Sequence, residues 1–412
     1  MTPTKLQFAT ALCAGIGLLS LTPAQAATAS TTPGTSLAAL LARLQADETK
    51  RAADEATMTS QAATMTGQAA TITHQGAVIA TLQSQISVVA GVPKNAALLA
   101  QTPVPAPGYT YTGNFIAVSG SAWTYQASMS TARAAFGAAT IGNTIYAFGG
   151  LDSTNATISS VEAYDPATNT WATKANMSTA RAYLASATVG NTLYALGGGN
   201  NSGDLSSVEA YDPATNTWAA KANMSTARAH LASATVGNTI YAIGGYNSVG
   251  YLSSVEAYDP AANTWTNKAS MNTARFAPAA ASVGNTLYAI GGGGDSGSGP
   301  LSSVEAYDPI ANTWTSKANM NSARYDLAAA SVGSTLYALG GFNYSAGHLS
   351  SVEAYDPATN IWAAKASMNT NRTRLAAASV GNTLYALGGS NNNGDLSSVE
   401  AITLGYFVHL KN

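Results

Sequence analysis

From about residue 115 onward, apolar and polar positions alternate in short runs that end at glycines or turn residues. One stretch displays the whole pattern. Residues 182–189 are rich in alanine and small polar side chains, and Gly190-Asn191 has the chemistry of a hairpin turn. Residues 192–196 alternate again and stop at Gly197-Gly198, a polar loop covers 199–204, and a third run follows at 207–211. Asp212-Pro213-Ala214-Thr215-Asn216 then makes a tight turn, in which Pro fixes φ and Asn tolerates a left-handed conformation. Trp218 opens a last run toward Lys221. Alternation of period two between turn signals predicts strands, so this unit is four antiparallel strands in sequence.

The unit recurs. Six tryptophans, Trp123, Trp171, Trp218, Trp265, Trp314 and Trp362, are spaced by 48, 47, 47, 49 and 48 residues, and six glycine pairs keep step with them from Gly149-Gly150 to Gly388-Gly389. A fixed period of this length predicts a solenoid or a propeller, and four strands per unit make one propeller blade. Small Ala and Ser on the first strand suit the crowded position nearest the axis, while Trp and Tyr fill the wider space between blades. The last unit ends on a third strand at 398–404, whereas Trp123 stands before any first strand. Residues 122–127 are therefore expected to supply the outer strand of the last blade and so close the ring.

The glycine doublet, the Tyr-Asp-Pro-x-x-Asn-x-Trp stretch and the Met-x-x-x-Arg that follows resemble the kelch repeat, six times over residues 115–404. The resemblance implies an all-β, six-bladed kelch β-propeller. It is expected to be preceded by an α-helical coiled-coil segment and followed by a tail at 405–412.

The N-terminal quarter has a different pattern. Residues 36–90 lack Trp, Tyr, Phe and Pro, and counting by seven from Leu37 reaches Leu44, Arg51, Met58, Met65, Ile72, Ile79 and Ile86. The companion positions are polar from Asp47 to Gln75. This heptad pattern predicts a coiled-coil rod within 27–90, trimeric first and dimeric second, although Gly67, Gly76 and a run of Thr weaken it as a helix. A proline-punctuated linker at 91–114 follows. Before the rod, Lys5, the apolar run 8–21 and Ala24-Gln25-Ala26 fit a secretory signal peptide over residues 1–26, with an uncleaved anchor as the alternative. The protein is thus expected to be exported, to the periplasm or the cell surface, with no membrane insertion after cleavage.

Composition narrows the chemistry. Charged residues are only 9% of the 412, against roughly 25% in an ordinary soluble domain, and the formal net charge is −2. That balance offers no footprint for nucleic acid. The single cysteine, Cys13, lies in the leader. Disulfides, Cys-bound zinc and a cysteine nucleophile are therefore excluded from the processed chain, and so is the Cys–Tyr cross-link that kelch copper radical oxidases need. The histidines show no ligand spacing, Asp204 and Asp395 alone are weak calcium candidates, and no nucleotide motif appears. No metal or cofactor is expected.

Most charges recur in every blade: six arginines (Arg133, Arg181, Arg228, Arg275, Arg324 and Arg372), six Glu and five each of Lys and Asp. Two readings of the arginines stand. They are packed against the recurring Glu or backbone carbonyls, or, as the resemblance to peptide-binding kelch domains implies, they ring a central mouth and hold acidic ligand groups. Just after each Arg the blades diverge, at Ala135, Tyr183, His230, Ala277, Asp326 and Arg374, with Phe276 and Tyr325 beside them. The loops after the glycine pairs diverge too, and are rich in Gly, Asn and aromatics, a mixture that suits sugars or peptides.

The repeats are otherwise nearly identical, and such uniformity favours a non-catalytic scaffold with a ligand mouth. The first expectation is an exported binding protein for a protein or acidic glycan ligand, homo-oligomeric through residues 36–90 and gaining from multivalency. Its candidate ligand-binding residues are the six arginines with Tyr183, His230, Asp326 and Arg374. The second is a periplasmic carbohydrate-processing enzyme resembling the kelch-type sialic-acid epimerases, with Tyr183, His230, Asp326 and Arg374 as its chemistry. The third is a purely structural surface protein.

Overall fold

The computed structural model describes residues 122–294 and 299–404, and the backbone of the strands Asn114–Val118 and Tyr406–Leu410. The expected signal peptide, rod and most of the linker lie outside the described residues. Among those residues there is no helix.

Six four-stranded antiparallel sheets form six blades. The first consists of Gly137–Ile141, Thr144–Phe148, Val161–Asp165 and Thr170–Lys174. Blades two to five span 185–221, 232–268, 279–317 and 328–365 in the same order. The sixth has Ala376–Val380, Thr383–Leu387 and Val399–Thr403, and its outer strand is Thr124–Gln126, paired with residues 399–401 from the far end of the chain. Trp123 completes the joint by donating its indole N–H to the Ala366 carbonyl at 2.9 Å.

The strands nearest the axis touch their counterparts in the neighbouring blades. Their small side chains make this approach sterically open, and their hydroxyls tie it: Ser233 Oγ donates to the Ser186 carbonyl at 2.8 Å and Ser282 Oγ to the Thr235 carbonyl at 2.8 Å. The second strand of each blade is buried along four of its five residues, because a blade lies against each of its faces. Apolar residues thus run nearly unbroken there. The core accordingly sits between blades: Ile145, Ala147 and Tyr164 of the first pack with Tyr385, Leu387 and Val399 of the sixth. Each fully buried large side chain of this kind contributes roughly 1.5–3 kcal/mol.

The recurring turn is explained by its hydrogen bonds. Asn216 sits at φ 53°. Its Oδ1 accepts from the Tyr211 hydroxyl at 2.8 Å and from the Ala175 amide of the preceding inter-blade connection at 2.9 Å. Trp218 donates its indole N–H to the carbonyl of the same Ala175 at 2.9 Å. Tyr, Asn and Trp are therefore one device that fastens each of the first five blades to the one before, while the sixth, with Ile402 in the tyrosine's place, keeps only the Trp123 bond.

Two features depart from the sequence expectation. The first strand of the second blade begins at Ala185, not directly after Arg181, because Tyr183 turns left-handed at φ 54° and Ala182 bridges to Gly199 instead. The last residue of the expected linker and residues 115–118, expected in the propeller, pair instead with the expected tail in an antiparallel ribbon, Asn114–Val118 with Tyr406–Leu410.

Candidate functional site

The inter-blade connections converge on one end of the axis, and the arginines anchor them. Arg228 is fully buried. Its guanidinium donates to the Gly244 and Ser254 carbonyls at 3.1 and 3.0 Å, to Ser254 Oγ at 3.1 Å and to Glu256 Oε1 at 2.8 Å. Glu256 in turn accepts from the Ser225 and Thr226 amides. The other five pairs, Arg133–Glu162, Arg181–Glu209, Arg275–Glu305, Arg324–Glu353 and Arg372–Glu400, are equally buried, at 2.7–2.8 Å. Burial lowers the pKa of Arg133, opposed by Glu162. Burial pushes the Glu162 carboxyl up, but the Ser130 hydrogen bonds and the charge of Arg133 outweigh it and hold it below the usual carboxylate range.

While the side chain of each Arg serves its own blade, its carbonyl serves the preceding one. The Gly389 amide donates to the Arg133 carbonyl at 2.9 Å. The partner glycine, Gly388, is at φ 51°, and a Cβ there would stand 2.7 Å from that same carbonyl. No L side chain fits that approach, which accounts for the doublet.

Two residues beyond each Arg the chain forms the mouth. Ala135, Tyr183, His230, Ala277, Asp326 and Arg374 all take positive φ, between 47° and 54°. Each amide donates to the carbonyl of its counterpart in the preceding blade, at 2.7–3.1 Å, and Ala135 donates to Arg374 to complete a closed ring of six bonds. Left-handed conformations cost non-glycine residues of order 1–3 kcal/mol each, so the ring is held in place by the blades around it. Its side chains line a cavity of about 90 Å³.

This ring is regular in backbone and lopsided in chemistry. The Tyr183 and His230 rings stack at 3.8 Å, and His230 meets Phe276 at 4.3 Å. Arg374 lies 5.6 Å over the Tyr183 ring and places Nε 3.3 Å from Asp326 Oδ2. His230 Nδ1, buried and without a hydrogen-bond partner, is 3.8 Å from Asp326 Oδ1. Burial pushes the Tyr183 hydroxyl pKa up, moderated by Arg374. It also raises that of Asp395 on the adjacent hairpin, with Arg374 pulling down and Asp152 pushing up. At the ring position itself blades one and four carry only alanines, Ala135 and Ala277.

Family models match the chain across this whole region. The KLHDC2/KLHL20/DRC7 Kelch-repeats domain matches residues 114–292, and the Kelch motif matches 274–321, 323–369 and 371–404. The chain belongs to the kelch-repeat propellers. A solved structure described as "Structure of YjhT" is similar to this kelch propeller with a TM-score of 0.57 at 16% identity, covering 69% of this chain and 97% of the other. That likeness is one of fold. No curated protein sequence matches the chain.

In this kelch propeller the candidate residues divide. Tyr183, His230, Asp326 and Arg374 come together in one cavity. Arg133, Arg181, Arg228, Arg275, Arg324 and Arg372 do not reach it. Their guanidinium groups are fully buried, and their terminal N–H groups are held by Glu and backbone carbonyls, so the positive ring for acidic ligands is corrected to a structural latch. Arg374 is the one arginine or lysine lining the cavity, and Asp326 already pairs with it. The closed hydrogen-bond ring has little signal in the sequence, since Ala, Tyr and Arg have no local preference for positive φ and only His230 and Asp326 are of types enriched there. Among the described residues, no three His, Cys, Asp or Glu side chains gather to hold a metal ion.

Proposed function

We propose that this kelch propeller is a binding protein whose mouth recognises a largely neutral glycan. The observation that carries the reading is the stack of Tyr183, His230 and Phe276 on one side of a mouth whose other polar groups, Asp326 and Arg374, are already paired. Tyr183, His230 and Phe276 are half-buried, and the parts of their rings left uncovered suit the C–H groups of a pyranose, while a paired carboxylate and guanidinium retain lone pairs and N–H groups for sugar hydroxyls. With no free cation ring, an acidic sugar gains little there. Export through residues 1–26 and oligomeric display through 36–90 complete the proposal, since weak mouths gain from multivalency.

Binding of the full chain to an immobilised panel of neutral and sialylated oligosaccharides tests this. Neutral sugars should be retained, and His230→Gly, which suits the positive φ, should lose them while folding normally. A preference for sialylated sugars, or no retention at all, would overturn it.

A second reading has its own observation. Tyr183, His230, Asp326 and Arg374 share one cavity, with a carboxylate 3.8 Å from an unpartnered imidazole nitrogen. This is a constellation for acid–base chemistry on a sugar. Acceleration of sialic-acid anomer interconversion over buffer, followed by NMR, would support it, and an unchanged rate would remove it.

A further inference from the structure

The fourth blade lacks a side chain where the others mostly carry one. The residue after the glycine pair is Leu151, Gly199, Tyr246, Gly293, Phe342 and Ser390 in blades one to six. In the fourth blade Gly293 is followed by another glycine, Gly294, and the space left open is a cleft of about 240 Å³. Two aromatic pairs line it. Tyr251 stacks on Phe276 at 5.2 Å, and Tyr344 meets Tyr325 at 6.1 Å, nearly edge to face. Gly299 is close enough to the Tyr344 ring that a Cβ there would stand 3.3 Å from it.

The cleft continues the mouth. Phe276 packs against His230 at 4.3 Å, and Tyr325 precedes Asp326 in the chain, so one ligand can touch both cavities. Its chemistry differs from that of the mouth: among the described residues no charged side chain lines it, its walls are aromatic rings, and its polar groups are three phenol hydroxyls and glycine backbone. Tyr251 and Tyr344 are 38% and 71% exposed, large apolar faces that a soluble surface normally covers or uses.

We infer that this cleft is a second sugar subsite, so that the ligand is an oligosaccharide with one unit in the mouth and a neutral pyranose stacked between the Tyr251 and Tyr344 sides of the cleft. The inference rests on the glycan reading of the mouth and fixes the ligand's class as a neutral oligosaccharide. Stacking surfaces add affinity with each ring they cover, so affinity must grow with chain length until the cleft is filled.

Titration calorimetry of the full chain against a neutral oligosaccharide that the panel retains, in lengths from one to four units, tests this. Affinity should rise about tenfold once the chain is long enough to leave the mouth. Tyr251→Ala and Tyr344→Ala, both at exposed positions, should remove that rise and leave the single-unit affinity unchanged. Gly293→Phe places in the cleft the residue the fifth blade carries at the same point, and Gly293 has no positive φ to resist it. It should block the longer sugars only. Equal affinity at all lengths, or variants that leave the rise intact, would overturn the subsite while the mouth reading stands. Retention of no sugar, or of peptides alone, would overturn both.

Discussion

The amide of Ala135 donates to the carbonyl of Arg374 at 2.8 Å, joining the first and last members of the mouth ring. The ends of the propeller are thus held at three radii: here at the mouth, at Gly389–Arg133 beside it, and at the outer strand where Thr124–Gln126 pairs with 399–401. A site made from six separate connections is rigid only because this circle closes.

The ring's left-handed residues give a direct prediction. Ala277→Gly removes a strained φ of 47° at the cost of a more flexible unfolded chain. Relief of order 1–3 kcal/mol against an entropic loss of about 0.4–1 kcal/mol leaves stability unchanged or raised by up to about 2.6 kcal/mol. Chemical denaturation measures it. A loss of more than about 1 kcal/mol would contradict the account of the ring.

Breaking an arginine latch should act on folding. Arg228→Ala strands Glu256 in a site where both side chains are nearly inaccessible, and removal of one partner from a buried pair costs about 3–5 kcal/mol. A lowered melting temperature and a weakened propeller are expected. Sugar binding should persist in whatever fraction stays folded, because Arg228 does not line the mouth. Acid should have a related effect at Glu162. Its carboxyl is held low in the folded state, so its contribution is whole above the ordinary glutamate range and fades as pH falls through the lowered folded value.

Alkali tests the blade-fastening tyrosines. Tyr164, Tyr211, Tyr258, Tyr307 and Tyr355 each donate to the Asn five residues on, and burial, with smaller contributions from a neighbouring tyrosine and Asp, raises their pKa to about 12. Their folded values lie above the unfolded ones, so the stability they supply is present below about pH 10 and is lost as pH rises toward 12. Ultraviolet titration should resolve these five as a late group that ionises together with unfolding. Simple titration of all tyrosines near pH 10, with the fold intact, would contradict it.

Much of this was legible in the chain. Near-identical repeats expose their own exceptions, so Tyr183, His230, Asp326 and Arg374 stood out against alanines and serines, and the incomplete first and last units pointed to the joint at Trp123. The arginines were ambiguous because spacing places a residue on a connection without fixing which way its side chain turns; only Glu256 across from Arg228 decides that. The cleft beside Gly293 is marked in sequence by a missing side chain, which becomes meaningful once Tyr251 and Tyr344 are seen on either flank.

The claim that the mouth is a sugar site is tested most directly by saturation-transfer NMR of the full chain with a neutral oligosaccharide panel, beside Tyr183→Gly. Transfer to sugar C–H protons in the wild type, lost in a variant that melts no lower, is the expected result. Transfer that is absent for every sugar, or undiminished in Tyr183→Gly, would contradict it.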